Sequence, residues 1–206
     1  EGKALFVMNE FFDALPIRQF IAIEGGAAER SVGIDPESDA LCFTLGRTMP
    51  GVLRGVEAGK LLESCPAAIA ITTDISRRLK EQGGAALIVD YGYIGPASGD
   101  TLQAVKHHAY TDPLHHPGDC DLTAHVDFGA VAEAARNAGI VVHGPVEQGL
   151  FLETLGIVQR AAKLKEAGGV EIDAALQRLT AQDEMGTLFK VMALTAEDMP
   201  LPGFVA

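Results

Sequence analysis

An amide, two carboxylates and two aromatic rings stand together at Asn9-Glu10-Phe11-Phe12-Asp13. They directly follow the apolar run Ala4-Leu5-Phe6-Val7-Met8, and Ala14-Leu15-Pro16 comes after them. Polar groups at the end of a buried segment are costly unless they bind something. Two carboxylates can grip a guanidinium through charge-assisted hydrogen bonds, or take its proton as it reacts. Aromatic rings pack around a sulfonium or guanidinium cation. A second arrangement accounts for the same residues: Glu10 and Asp13 cap the following turn, and Phe11 and Phe12 belong to the core. The pattern alone leaves both open.

The elements that must position this group follow from periodicity and turn chemistry. Residues 4–8 read as a short, fully buried strand of a parallel sheet covered on both faces. Pro16 discourages a long helix after it. Ile17–Ile23, Glu29–Ile34 and Ala40–Leu45 are strand-like, separated by Gly25-Gly26 and by Asp35-Pro36-Glu37-Ser38-Asp39. They predict a small antiparallel β-lobe inserted at about 17–46. Residues 46–62 begin Gly-rich and irregular. Pro66 opens a helix over about 65–81, closed by Gly83-Gly84.

Ala85–Val89 is a second buried strand, ending at Asp90-Tyr91-Gly92. A long loop rich in Gly, Pro, His and Asp fills about 95–125, a length uncommon in a compact domain unless it has a function. Asp127 is placed to N-cap a helix over 128–137. Then come a short strand at 140–142, helical stretches from Gln148, over 157–167 and over 172–181, and a last strand at 189–194. Helices between strands imply an α/β fold with a mainly parallel sheet. Ligands of such sheets bind outside the carboxyl ends of the strands. That rule selects Asn9 to Asp13 and Asp90 to Gly92. Asp90, Tyr91 and Gly92 are either a wall of a substrate cleft or a capped strand end with Gly92 making the turn.

Composition narrows the partners. Lys and Arg number 16 against 28 Asp and Glu, a net charge of -12. Such a chain repels phosphate backbones, so nucleic acid is disfavoured and a basic protein segment is easier to accommodate. The same charge also serves plain solubility. Cys42, Cys65 and Cys120 have neither disulfide-framework nor zinc spacing and fit a reducing compartment. No apolar run is long enough to span a membrane. His107, His108, His115, His116, Asp119, Cys120 and His125 crowd one segment, but adjacent His pairs point apart and no HExxH occurs, so a solvated loop is expected and no metal. GxSxG and P-loop motifs are absent. The chain opens at Glu1 and runs at once into apolar residues, which reads as a piece of a longer chain.

The segment NEFFDALPIRQF resembles the signature of the MidA-type methyltransferases. ALIVDYGY (86–93), GDTLQAV (99–105), TDPL (111–114), DLTAHVDF (121–128) and QGLFLETLG (148–156) resemble further family motifs in the right order. The resemblance spans 5–156 and continues more faintly to Leu194. It implies a Rossmann-like methyltransferase sheet with an antiparallel last strand, of which residues 1–206 are the C-terminal part of a class I domain. It implies S-adenosylmethionine as cofactor. The family's Gly-rich turn and acidic strand end lie upstream of NEFFDALP, and no GxGxG occurs in this chain. It further implies that Asn9 and Glu10 line the cofactor–substrate junction and that Glu10 or Asp13 orients or deprotonates the nucleophile. Phe12, Asp90, Tyr91, Gly92, His125, Gln148 and Gly149 would face the substrate, although a helix start packed on the sheet is an equal account of Gln148-Gly149. The family is associated with protein methylation, and its mitochondrial members with an arginine of a respiratory complex I subunit. A bacterial cytoplasm is expected from the Ala- and Gly-rich composition, with the mitochondrial matrix as alternative. A different class of function, a non-catalytic assembly factor holding a partner with the 17–45 lobe and the 95–125 loop, predicts an eroded Gly-rich turn upstream. The sequence leaves the oligomeric state open.

Overall fold

The structure is a computed structural model and describes residues 2–53, 55–95 and 99–204. In chain order the elements are β1 (Ala4–Asn9), β2 (Arg18–Ile23), β3 (Gly26–Ile34), β4 (Leu41–Pro50), β5 (Leu61–Ser64), α1 (Pro66–Gln82) and β6 (Gly84–Tyr93). They continue with β7 (Gln103–Lys106), β8 (Ala109–Thr111), β9 (Asp121–Thr123), β10 (Val126–Asp127), α2 (Phe128–Asn137) and β11 (Val141–Glu147). The chain closes with α3 (Gln148–Thr154), α4 (Ile157–Glu166), α5 (Ile172–Thr180), α6 (Met185–Leu188) and β12 (Phe189–Thr195). The chain divides into two compact units, one of residues 1–12, 69–95 and 126–206, the other of 13–68 and 96–125.

In the first unit the strands lie in the order β1-β6-β12-β11, with β10 pairing the end of β6. β1 and β10 run parallel to β6, and β12 is antiparallel to both β6 and β11. Only the last strand is reversed, as the resemblance implies. Every residue of β12 is buried, and its Val191, Met192 and Leu194 form the core with Ile88 of β6 and Phe128, Val131 and Ala135 of α2. Asp127 caps α2 by accepting from the Ala130 amide at 3.0 Å. That bond satisfies one of the orphan donors at a helix start.

Within this chain the first strand is covered on one face. Leu5 is 81% and Val7 73% exposed, while Ala4, Phe6 and Met8 are half-buried. Side chains alternate across a strand, and only the Phe6 face meets α1, where the Arg78 guanidinium lies 5.4 Å from the Phe6 ring. Gly92 is a position where no side chain fits: an added Cβ would lie 2.1 Å from the Val126 carbonyl oxygen. Gly92→Ala is therefore expected to lower stability by about 2–3 kcal/mol, the cost of overpacking against backbone. A urea midpoint equal to the parent's would show that β10 can move aside.

The second unit holds two antiparallel sheets, β4-β3-β2-β5 and β8-β7-β9. Ile23 pairs with Gly26, so Glu24 and Gly25 make a two-residue hairpin turn, with Gly25 at φ 77°. A positive φ at the second central residue alone is what a type II turn requires. β4 runs to Pro50, into the stretch at 46–62 expected to begin irregular, β5 starts at the end of that stretch, and β7 to β9 come from the expected long loop. Strands of three and four residues carry too few positions for a period to show. Residues 96–98 of that loop lie outside the described residues.

Candidate functional site

The carboxyl end of β1 is built around one buried carboxylate. Glu10 continues the β1–β6 ladder, its amide donating to the Val89 carbonyl at 3.0 Å. The chain then turns sharply, with Glu10 itself at φ 48°. A left-handed φ is uncommon for a residue with a Cβ and persists only where its surroundings impose it. The imposing group is Asp90, at the same end of β6. Its Oδ2 accepts from the Phe11 and Phe12 amides at 3.1 and 3.0 Å, and its Oδ1 from the Tyr91 amide at 3.0 Å. Asp90 is fully buried. A carboxylate out of water is tolerable only with several donors around it, and here the donors are the backbone of the turn.

That arrangement decides what is presented to solvent. Asn9 and Glu10 are exposed, and the Asn9 carboxamide donates to Glu10 Oε1 at 3.2 Å. Phe11 is 42% exposed, whereas Phe12 is buried and packs edge-on against it at 5.4 Å between ring centres. The accessible ring is thus Phe11, which sequence reasoning passed over in favour of Phe12. Tyr91 is half-buried with its ring 5.4 Å from Phe189. Gly92 is spent on close approach to β10.

The other anticipated residues are placed elsewhere. Gln148 and Gly149 start α3 at the end of β11, three strands from β1, which at ordinary strand spacing is about 14 Å. Gln148 is buried with its Nε2 on the Leu179 carbonyl at 3.1 Å, and a Cβ on Gly149 would lie 2.7 Å from the Thr180 carbonyl oxygen. Both hold α3 against the end of α5. Asp13 and His125 belong to the second unit. Asp13 is buried and its carbonyl accepts from the Ala124 amide at 3.0 Å. The His125 amide donates to Thr101 Oγ1 at 3.0 Å, and its Nε2 lies 3.4 Å from Gln103 Nε2. Among the described residues no group of three or more His, Cys, Asp and Glu is placed to hold a metal ion.

One charged residue at this sheet edge escaped the sequence reading. Lys190, the second residue of β12, lies between Asp90 of β6 and Glu147 of β11 in register. It is buried and donates to the Thr187 carbonyl. Burial pulls its ammonium below the usual lysine range, against the opposing charge of Glu147. A lysine at a strand start ordinarily reads as solvated, so no local signal marks it.

Comparison with known proteins places this geometry. Residues 1–146 match the family described as S-adenosyl-L-methionine-dependent methyltransferases. A mitochondrial protein arginine methyltransferase, NDUFAF7, of Mus musculus is 37% identical over 204 residues, covering 94% of this chain and 46% of the relative. Its Homo sapiens counterpart is 34% identical over 204 residues, with the same coverage. A crystal structure from Burkholderia thailandensis bound to S-adenosyl-homocysteine superposes with a TM-score of 0.86 at 30% identity, over 98% of this chain and 56% of the other. The chain thus spans about half the length of the curated relatives it matches. The match covers both the strand that ends in the Asn9–Phe12 turn and the strand whose Asp90 holds that turn, and on it the chain belongs to the S-adenosyl-L-methionine-dependent methyltransferase family.

Proposed function

We propose that the protein methylates arginine in a polypeptide substrate, using S-adenosylmethionine, and that the Asn9–Phe11 turn faces the transferred methyl group. The observation that carries this is the exposed Asn9-Glu10-Phe11 surface, held at the carboxyl end of a parallel strand by buried Asp90. Ligands of open α/β sheets bind at that end. The residues fit one flank of such a cofactor. A carboxamide oxygen, a carboxylate and a ring are all accessible there, each suited to a cationic centre. When bound, the cofactor supplies an electrophilic methyl on a sulfonium. Asn9 and Glu10 line that junction, and Glu10 orients the guanidinium and takes the proton it must lose. Alignment contributes most of the rate in such a transfer, which is why a turn fixed by three hydrogen bonds is useful. Asp13, being buried, is assigned a secondary part.

On this reading residues 1–206 form the C-terminal part of a class I methyltransferase domain, with the lobe of β2 to β5 inserted. The NDUFAF7 relatives are named as mitochondrial protein arginine methyltransferases, which supports an arginine-bearing protein as substrate and admits the mitochondrial matrix beside a bacterial cytoplasm. An arginine of a respiratory complex I subunit is the finer target the family resemblance suggests. No described helix is long and apolar enough to cross a membrane.

Calorimetric titration of S-adenosylmethionine into the full-length protein tests the reading. We expect saturable binding, weakened about tenfold by Asn9→Ala, the loss of about 1.4 kcal/mol that one good polar contact supplies. A folded full-length protein that takes up no cofactor would overturn it.

A further inference from the structure

The second unit contains a cavity of about 400 Å³. Its volume is within the usual range for a ligand site, roughly 300–1,000 Å³. Leu15, Val32, Phe43, Leu102 and Leu122 supply its apolar wall. Val32 is 55% and Leu122 50% exposed, so apolar surface at this cavity is left in water.

Charged groups also line it, but each has its counter-charge. Arg18 Nε pairs with Glu29 at 2.7 Å. Arg30 pairs with Asp100 at 2.5 Å, donates to Gln19 Oε1 at 3.1 Å, and lays its guanidinium 3.5 Å from the Phe43 ring centre. Gln19 in turn donates to Glu63 and Asp100 at 2.7 and 2.8 Å. A charged ligand entering would lose its hydration and meet groups already paired, an unfavourable exchange. An uncharged apolar group meets no such cost.

The lining also includes Leu122 and Thr123 of β9. β9 is an edge strand: it pairs with β7 on one side, and among the described residues no strand pairs with the other. Extended polypeptides bind by adding to such edges, with backbone bonds giving affinity and pockets for alternate side chains giving specificity. The net charge of -12 attracts a basic polypeptide from a distance.

We propose that this cavity is a substrate subsite, receiving a bulky apolar side chain from an extended, basic polypeptide. The proposal rests on the reading above that the substrate is a polypeptide. It requires no charge on the side chain received, and it places specificity in a lobe outside the methyltransferase sheet.

The test is selection of a random dodecapeptide library with a fixed central arginine against the full-length protein. The same selection is run on Leu122→Asp and Val32→Asp, whose half-exposed side chains are replaced without emptying the core. We expect enrichment of Leu, Ile, Phe or Met at one position of the selected peptides. We expect at least tenfold weaker binding of an enriched peptide by either variant, with unchanged thermal melting. No apolar preference, or a preference both variants keep in full, overturns the subsite. Selected peptides that bind in this way but accept no labelled methyl from S-adenosylmethionine support the subsite and count against arginine methylation, so the two failures are distinct.

Discussion

Asp90→Ala is expected to abolish detectable methyl transfer and to lower stability by about 3 kcal/mol. Three backbone amides lose their acceptor in one substitution: Phe11, Phe12 and Tyr91. A hydrogen bond to a charged acceptor is worth about 1.5–3 kcal/mol, and a buried donor left unsatisfied costs about 1–3 kcal/mol. The Phe12 amide is buried, whereas those of Phe11 and Tyr91 are only part-buried and can recover water. The sum therefore falls well short of three full penalties. Activity suffers more than stability because the bonds of Phe11 and Phe12 to Asp90, with that of the Glu10 amide to Val89, hold the left-handed conformation at Glu10. Released, Glu10 would relax toward negative φ and carry its carboxylate away. Misplacement of about 1 Å can cost a hundredfold in rate. Asp90→Asn keeps one oxygen for two of the amides but turns an NH₂ toward the third, and about half the stability loss is expected. Urea unfolding together with transfer of a labelled methyl group checks both variants. An Asp90→Ala protein with the parent's midpoint and rate would remove the carboxylate from its organising role.

What was legible in the sequence was local. The Asp127 cap and the Pro66 helix start are each decided within a few residues and lie where capping chemistry indicates, and the turn expected at Gly25-Gly26 falls one residue earlier, at Glu24-Gly25. The group at Asn9–Asp13 was visible as a group because burial makes polar residues conspicuous after an apolar run. The division of labour inside it was not. Whether Phe11 or Phe12 faces solvent is set by a carboxylate 78 and 79 positions away, and no window of sequence contains both. Position leaves Asp90 open between a cleft wall and a capped strand end, and only the family resemblance favours the wall. An aspartate at a strand end looks alike whether it faces a ligand or the backbone of a neighbouring turn. For Gln148 and Gly149 the sequence leaves substrate contact and helix packing equally open, and the structure shows a buried amide on a carbonyl and a close-packed glycine. β7 to β9 left no trace because their strands are short and their turns carry His107, His108 and His116 at positive φ.

Glu10→Gln isolates chemistry from architecture. Glu10 is exposed, and the side-chain hydrogen bond it makes to Asn9 is one that glutamine's carbonyl oxygen can also accept. Backbone conformation, size and the Asp90 bonds are all preserved, so the melting temperature should stay within about 1 °C, in keeping with the small effect of a surface change. The expected fall in kcat is about a hundredfold or more, the usual contribution of a positioned acid–base group. A guanidinium is protonated at any working pH, so its attacking nitrogen must shed a proton during or after transfer. A carboxylate can pair with the guanidinium and take that proton, whereas a neutral amide can do neither well. Glu10→Gly supplies the contrast. Glycine adopts positive φ at no steric cost, so that variant should keep or gain about 1 kcal/mol of stability while losing the same activity. Stability and rate moving in opposite directions at one residue would mean that the strained turn is retained for the carboxylate it presents. A Glu10→Gln protein with an unchanged rate would take Glu10 out of the mechanism and leave Asp13→Asn as the next substitution to measure.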